Sequence, residues 1–112
     1  MEGNDVDKYK AHIIAETIEY VADSVVVKTI LKKATGSISI FSIDRGKGIP
    51  EKTIAFDTFI QIIDGKAEIV INGISNFLNT GQSIIIPAHA ESIVIALDPL
   101  KMISTVIKSG YE

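Results

Sequence analysis

Two dipeptides constrain this chain more than any other feature: Asp64-Gly65 and Asn72-Gly73, each set between β-branched runs. An Asp-Gly or Asn-Gly pair accepts positive φ, and the tight turn it makes matches the twist of two antiparallel strands. Phe56 to Ile63 therefore pairs back onto Lys66 to Ile71, and that run onto Ser75 to Leu78. Further strand patterns follow the same rule. Ser24 to Lys32 and Ser37 to Asp44 flank the turn Lys33-Ala-Thr-Gly36, and Ser83 to Ile86 runs into Pro87. Ser92 to Leu97 and Met102 to Lys108 are joined across Asp98-Pro99. Isoleucine, valine and threonine dominate these runs; stiff at χ1, they pack well on a pleated surface. Many short strands with turn punctuation predict an all-β sandwich or barrel. In Ser37 to Asp44 the alternation slips at Phe41-Ser42, which predicts a bulge or twist there. Ala11 to Ala22 fits either a short helix or an irregular segment.

Composition removes several classes of function. The chain has 112 residues, a length that suits one domain able to bury a core. With no cysteine it has neither disulfides nor thiolate metal sites. Its net charge is −3, with Arg45 the one arginine, so no basic stripe tracks phosphates and no nucleic-acid partner is expected. No apolar run follows positive charges at Met1, and none approaches the ~20 residues of a membrane helix, so the expectation is a cytoplasmic protein without a membrane partner.

Between Gly46 and Ser92 the spacing becomes specific. Gly46, Gly65, Gly81 and Pro87 stand in an order and at intervals that resemble the paired motifs of the cupin superfamily. The resemblance covers about Ser24 to Lys108. It implies a cupin-type double-stranded β-helix, or jelly-roll barrel, over 24–108. A polar, irregular N-terminal segment over 1–23 precedes it, and a C-terminal tail over 109–112 follows. In the family, three histidines and a glutamate converge inside the barrel to bind a divalent metal. Here those positions hold Lys52, Ile54, Thr58 and Ser92. An ammonium donates hydrogen bonds only, and isoleucine has no ligand atom. The expectation is that neither metal nor other cofactor binds.

What remains is a candidate ligand pocket. Even parity along the strand beginning near Lys52 points Ile54, Thr58, Ile60 and Ile62 inward, with Phe56 at its start. Ser92 and Val94 face them from the later strand. The pocket should be narrow and largely apolar, with a few hydroxyls. Lys52 favours an anionic or carbonyl ligand at the mouth; against this stands a side chain merely reaching to water at the rim. His89 occupies a loop where parity is silent. It is carried as a pocket candidate against the alternative of a surface histidine. No catalytic residue is assigned. The leading reading is a metal-free barrel that binds a small molecule or serves as a dimeric scaffold. The alternative is an enzyme, either a metal-independent isomerase, epimerase or lyase using His89 or Lys52, or one with an atypical metal site.

The opposite parity of the central strand turns Phe59 and Ile63 outward. Large apolar side chains on an outer face mark interfaces, so a homodimer is expected, burying apolar residues of strands such as Ser24 to Lys32.

Overall fold

The computed structural model describes residues 7–108. The expected tail over 109–112 and the first six residues of the polar terminus lie outside the described residues. Nine strands follow one short 3-10 turn, Ile14–Glu16. They are β1 (Val25–Lys33), β2 (Gly36–Ile43), β3 (Gly48–Thr53), β4 (Asp57–Asp64), β5 (Lys66–Ile71), β6 (Ile74–Asn79), β7 (Ser83–Ile86), β8 (Glu91–Ala96) and β9 (Leu100–Ile107). One sheet runs β1-β2-β9-β4-β7 and the other β3-β8-β5-β6, all pairs antiparallel. Two sheets closed face to face in this way form the jelly-roll barrel that the spacing implied.

One of the two expected hairpins forms, β5 with β6; β4 pairs with β7 and β9 and does not pair back onto β5, so Asp64-Gly65 is a corner that carries the chain from one sheet to the other. Asn72 has φ 50° and Gly73 φ 81° between β5 and β6, the left-handed pair such a turn requires. Gly65, φ 98°, lies between β4 and β5, where a methyl group would also collide with the Pro99 carbonyl oxygen. Gly48 shows the second use of glycine. Its φ is unremarkable, but a side chain there would strike the Val94 carbonyl oxygen across the sheet.

Cross-strand register sorts the side chains into rows. Inside the first sheet, Ile43 faces Leu100, and Phe41, Met102 and Ile62 form the next row. Ser39, Ser104, Ile60 and Ile84 follow, then Ser37, Val106, Thr58 and Ile86. Inside the second sheet the matching rows are Ala67 with Ala96, Ile69 with Val94 and Ile49, and Ile71 with Ser92 and Lys52. The cluster where the two sheets meet includes Ile43, Ile62, Ala67, Ile69, Ala96, Leu100 and Met102, none more than 2% exposed.

Two further local expectations are corrected. The bulge expected at Phe41-Ser42 is absent; β2 pairs with β9 without a slip, and the shift lies in β1 between Thr29 and Leu31. The edge strand absorbs the extra residue because only one side of it is paired. Lys52 does not open the strand that carries Thr58. It belongs to β3, in the opposite sheet, and Ile54 to Phe56 is the connection from β3 to β4. Pro50 sits within edge strand β3, whose pairing with β8 skips between Ile49 and Lys52, so the missing amide costs no ladder bond.

β2 buries residues on its outer face as well. Its apolar residues Ile38 and Ile40 do not point into the barrel. By register Ile40 shares its row with Lys28 and Ile103, and Ser42 shares one with Val26 and Lys101, both on the outer face. Yet Ile40 is 0% and Ser42 1% exposed. The cover is the segment around the 3-10 turn. Lys28 Nζ donates to the Thr17 carbonyl at 3.1 Å and Lys101 Nζ to the Ala15 carbonyl at 2.6 Å. The Tyr20 hydroxyl donates to Asp64 Oδ2 at 2.5 Å, and Ile18 is buried at 5%. Burial and the Asp64 carboxylate push the Tyr20 phenol well above its ordinary pKa, so it remains a donor. This part of the polar segment is therefore a strap on the barrel wall.

Candidate functional site

The inner rows are not filled equally. Near the start of β4 they enclose a cavity of about 20 Å³, room for one or two water molecules. Its walls come from both sheets: Thr58 and Ile60 of β4, Ser92 and Val94 of β8, Lys52 and Ile49 of β3. Phe41, Ile86, Met102 and Ser104 complete the floor and sides, and Ile54 and Ala90 stand at the loops above. Lys52 is the one ionisable side chain among these residues, and it is exposed, so its ammonium sits at the rim. Its cross-strand partner Ser92 is 4% exposed. Thr58 is equally buried, and its Oγ1 has no hydrogen-bond partner. An unpaired buried hydroxyl costs about 1–3 kcal/mol, so this atom stores a demand for a partner.

Two loops close the top. Asp57 Oδ1 accepts the Ala88 amide at 2.8 Å, and the Ile54 carbonyl accepts the His89 amide at 2.7 Å. A further bond from the Ala90 amide to the Pro87 carbonyl, 3.2 Å, tightens the turn between β7 and β8. That turn holds His89 at φ 70°, a left-handed conformation rare for a residue with a side chain.

Six of the nine residues expected around the pocket line it: Lys52, Ile54, Thr58, Ile60, Ser92 and Val94. Three do not. Ile62 points inward but one row too deep, and is sealed in the packed core at 2% exposure. Phe56 turns out of the connection toward the last strand, where Lys108 Nζ lies 5.8 Å from its ring centre. His89 is exposed, because its positive φ swings the side chain outward and gives the lining position to Ala90. Sequence reasoning missed Phe41, Met102 and Ser104, which were legible only through the register of β2 and β9 on β4. Ile49 was missed as well, because only the pairing of β3 with β8 places it beside Val94.

The residues at the family's ligand positions do not fit a divalent metal. One ammonium, one alkyl side chain and two hydroxyls offer neither imidazole nor carboxylate. Among the described residues no group of three or more His, Asp or Glu side chains is placed to hold an ion.

No protein-family model matches the sequence, and no curated protein matches it. Solved structures do match in shape. A conserved protein of unknown function from Streptococcus pyogenes superposes with a TM-score of 0.88 at 24% identity, over 92% of this chain and 90% of its own. A cupin superfamily protein from Desulfitobacterium hafniense gives 0.87 at 21% identity, over 93% and 95%. An RmlC-like cupin from Desulfovibrio desulfuricans gives 0.77 at 20%, over 88% and 95%. With its strand order and its glycine-marked turns, this chain has the small, single-domain cupin barrel fold.

Proposed function

We propose that this barrel is a metal-free binding module that takes a small molecule through the cavity beside Lys52. One observation carries the reading: the buried, unpartnered Thr58 Oγ1 lines the same cavity whose rim holds the Lys52 ammonium. Replacing Thr58 by an alkyl side chain would relieve the cost of its unpaired hydroxyl; the same cost is borne by Ser42 on the outer face, so the weight of the reading rests on Thr58 and Lys52 sharing one cavity. The apolar remainder of the lining supplies contact area, and the few polar groups orient the guest. Catalysis through His89 loses its support, because that imidazole lies outside the lining. An enzymatic role would have to run through Lys52.

A thermal-shift screen of small anionic and carbonyl compounds tests the proposal on the native chain, Lys52→Ala and Thr58→Ala. A charge-assisted hydrogen bond is about twice as strong as a neutral one, so Lys52→Ala should weaken binding more than Thr58→Ala. Equal loss in both variants would remove Lys52 from the site.

The module is proposed to act as a homodimer. Val25 and Val27 on edge strand β1 are 39% and 51% exposed, and Ile85 and Ile107 beside Phe59 are 62% and 61%. Aliphatic surface at a free strand edge invites a second copy. Light scattering at micromolar concentration should report twice the mass of the chain; the monomer mass would overturn this.

A further inference from the structure

We infer that the guest of this cavity is a short monocarboxylate of one to three carbons, seated with its head at Lys52 and its alkyl end toward Ile60 and Val94. The inference rests on the binding-module reading and names its ligand class. Charge is the first argument. The lining holds one cation and no carboxylate, so a singly charged anion neutralises it and a dianion does not. Hydrogen-bonding capacity is the second. Lys52 can only donate, and the Thr58 hydroxyl has a proton with no acceptor. A ligand that only accepts, with two oxygens to share between rim and wall, answers both. A neutral amide would bring its own donors to a site already rich in them.

Volume is the third argument, and it sets the length. Free space of about 20 Å³ holds one or two water-sized groups below the rim. A carboxylate at the exposed Lys52 therefore leaves room for one or two carbons inside. The floor there is aliphatic and thioether: Ile60, Val94, Met102. A third carbon beyond the head group would have to displace Met102 or Phe41, which share one packed row with Ile62. Each methylene that finds room should tighten binding about fourfold, the equivalent of the ~0.8 kcal/mol of a buried CH₂. Affinity should rise from formate through acetate to propionate and then fall.

The experiment is a titration of the full chain, labelled at isoleucine and valine methyls, with sodium formate, acetate, propionate, butyrate and hexanoate at constant ionic strength. Sodium chloride and acetamide serve as controls. The expected result is saturable shifts at Ile60 and Val94, strongest for propionate, at least tenfold weaker for hexanoate and absent for acetamide. Lys52→Met, a change at an exposed position, should weaken propionate by tenfold or more, and Thr58→Val by several-fold. Equal responses to chloride and to carboxylates, or affinity that keeps rising through hexanoate, would overturn the ligand class. If acetamide or another neutral compound saturates the same methyls while carboxylates do not, the class falls and the binding module stands. If nothing shifts them and Thr58→Val is simply more stable, both fall.

Discussion

The two ends of the barrel are built from the same strands with the same alternation, yet one is closed and the other is not. At the closed end Ile43, Ala67, Ile69 and Leu100 are all 0% exposed, and the rows meet without polar atoms. At the open end the rows supply Thr58, Ser92 and Lys52, and packing stops short of contact. Strand geometry does not account for the contrast, because β4, β8 and β9 traverse both ends. Side-chain choice does. Isoleucine, leucine and alanine of matched volume fill one half, whereas hydroxyls and a long charged chain hold the other apart. One barrel thus combines a closely packed base with a less tightly packed mouth.

Truncation at the closed end should produce the largest effect. Leu100→Ala removes a fully buried side chain from the densest layer and should cost about 2–5 kcal/mol. Urea denaturation measures it, and a loss under about 1 kcal/mol would erase the distinction between the ends. At the mouth the sign reverses. Thr58→Val replaces an unpaired hydroxyl by a methyl of like shape, and without ligand it should be neutral or stabilising by about 1 kcal/mol. Destabilisation of similar size in the same assay would show that the hydroxyl is already satisfied in the free protein.

The smallest effect is a pH dependence local to the closed end. Asp44, at the end of β2, accepts the amides of Asp23 at 2.7 Å and Arg45 at 2.8 Å. These two bonds hold its carboxyl below the ordinary value of 3.8. The folded state therefore binds this proton less tightly than the unfolded chain. Its stabilisation is present above the unfolded value and is lost as pH falls through the lower folded one. Asp44 is half-buried at the surface, where solvent screens it, so the contribution is small; Asp44→Asn should flatten the acid limb of a stability–pH curve slightly by lowering its neutral plateau. A steeper acid limb in the variant would contradict the assignment.

Much of this was legible in the residues themselves. The hairpin at Asn72-Gly73 follows from what glycine and its neighbour permit at positive φ, a property needing no distant partner; the turn at Gly65 was equally legible, but not that it leads into the other sheet. The inward set Thr58, Ile60 and Ile62 follows from alternation within one strand, equally local. The barrel followed from the number and spacing of such signals.

Other features were settled only when remote segments met. Ile40 is apolar and alternates correctly, but its burial on the outer face of β2 depends on the strap. Its Ala15 is held by Lys101, 86 residues away. Lys52 reaches the cavity from the opposite sheet, by pairing with Ser92, a partnership no pattern in 46–58 could reveal. His89 left the pocket through the geometry of a turn fixed by Ile54 and Pro87. The free volume below the rim is a difference between the space two sheets enclose and the side chains that fill it. The sequence alone therefore decided the strands, the turns and the chemical types available to the site. Tertiary packing decided which types face one another and how much room they leave, because burial and enclosed volume are properties of pairs of surfaces, not of any one segment.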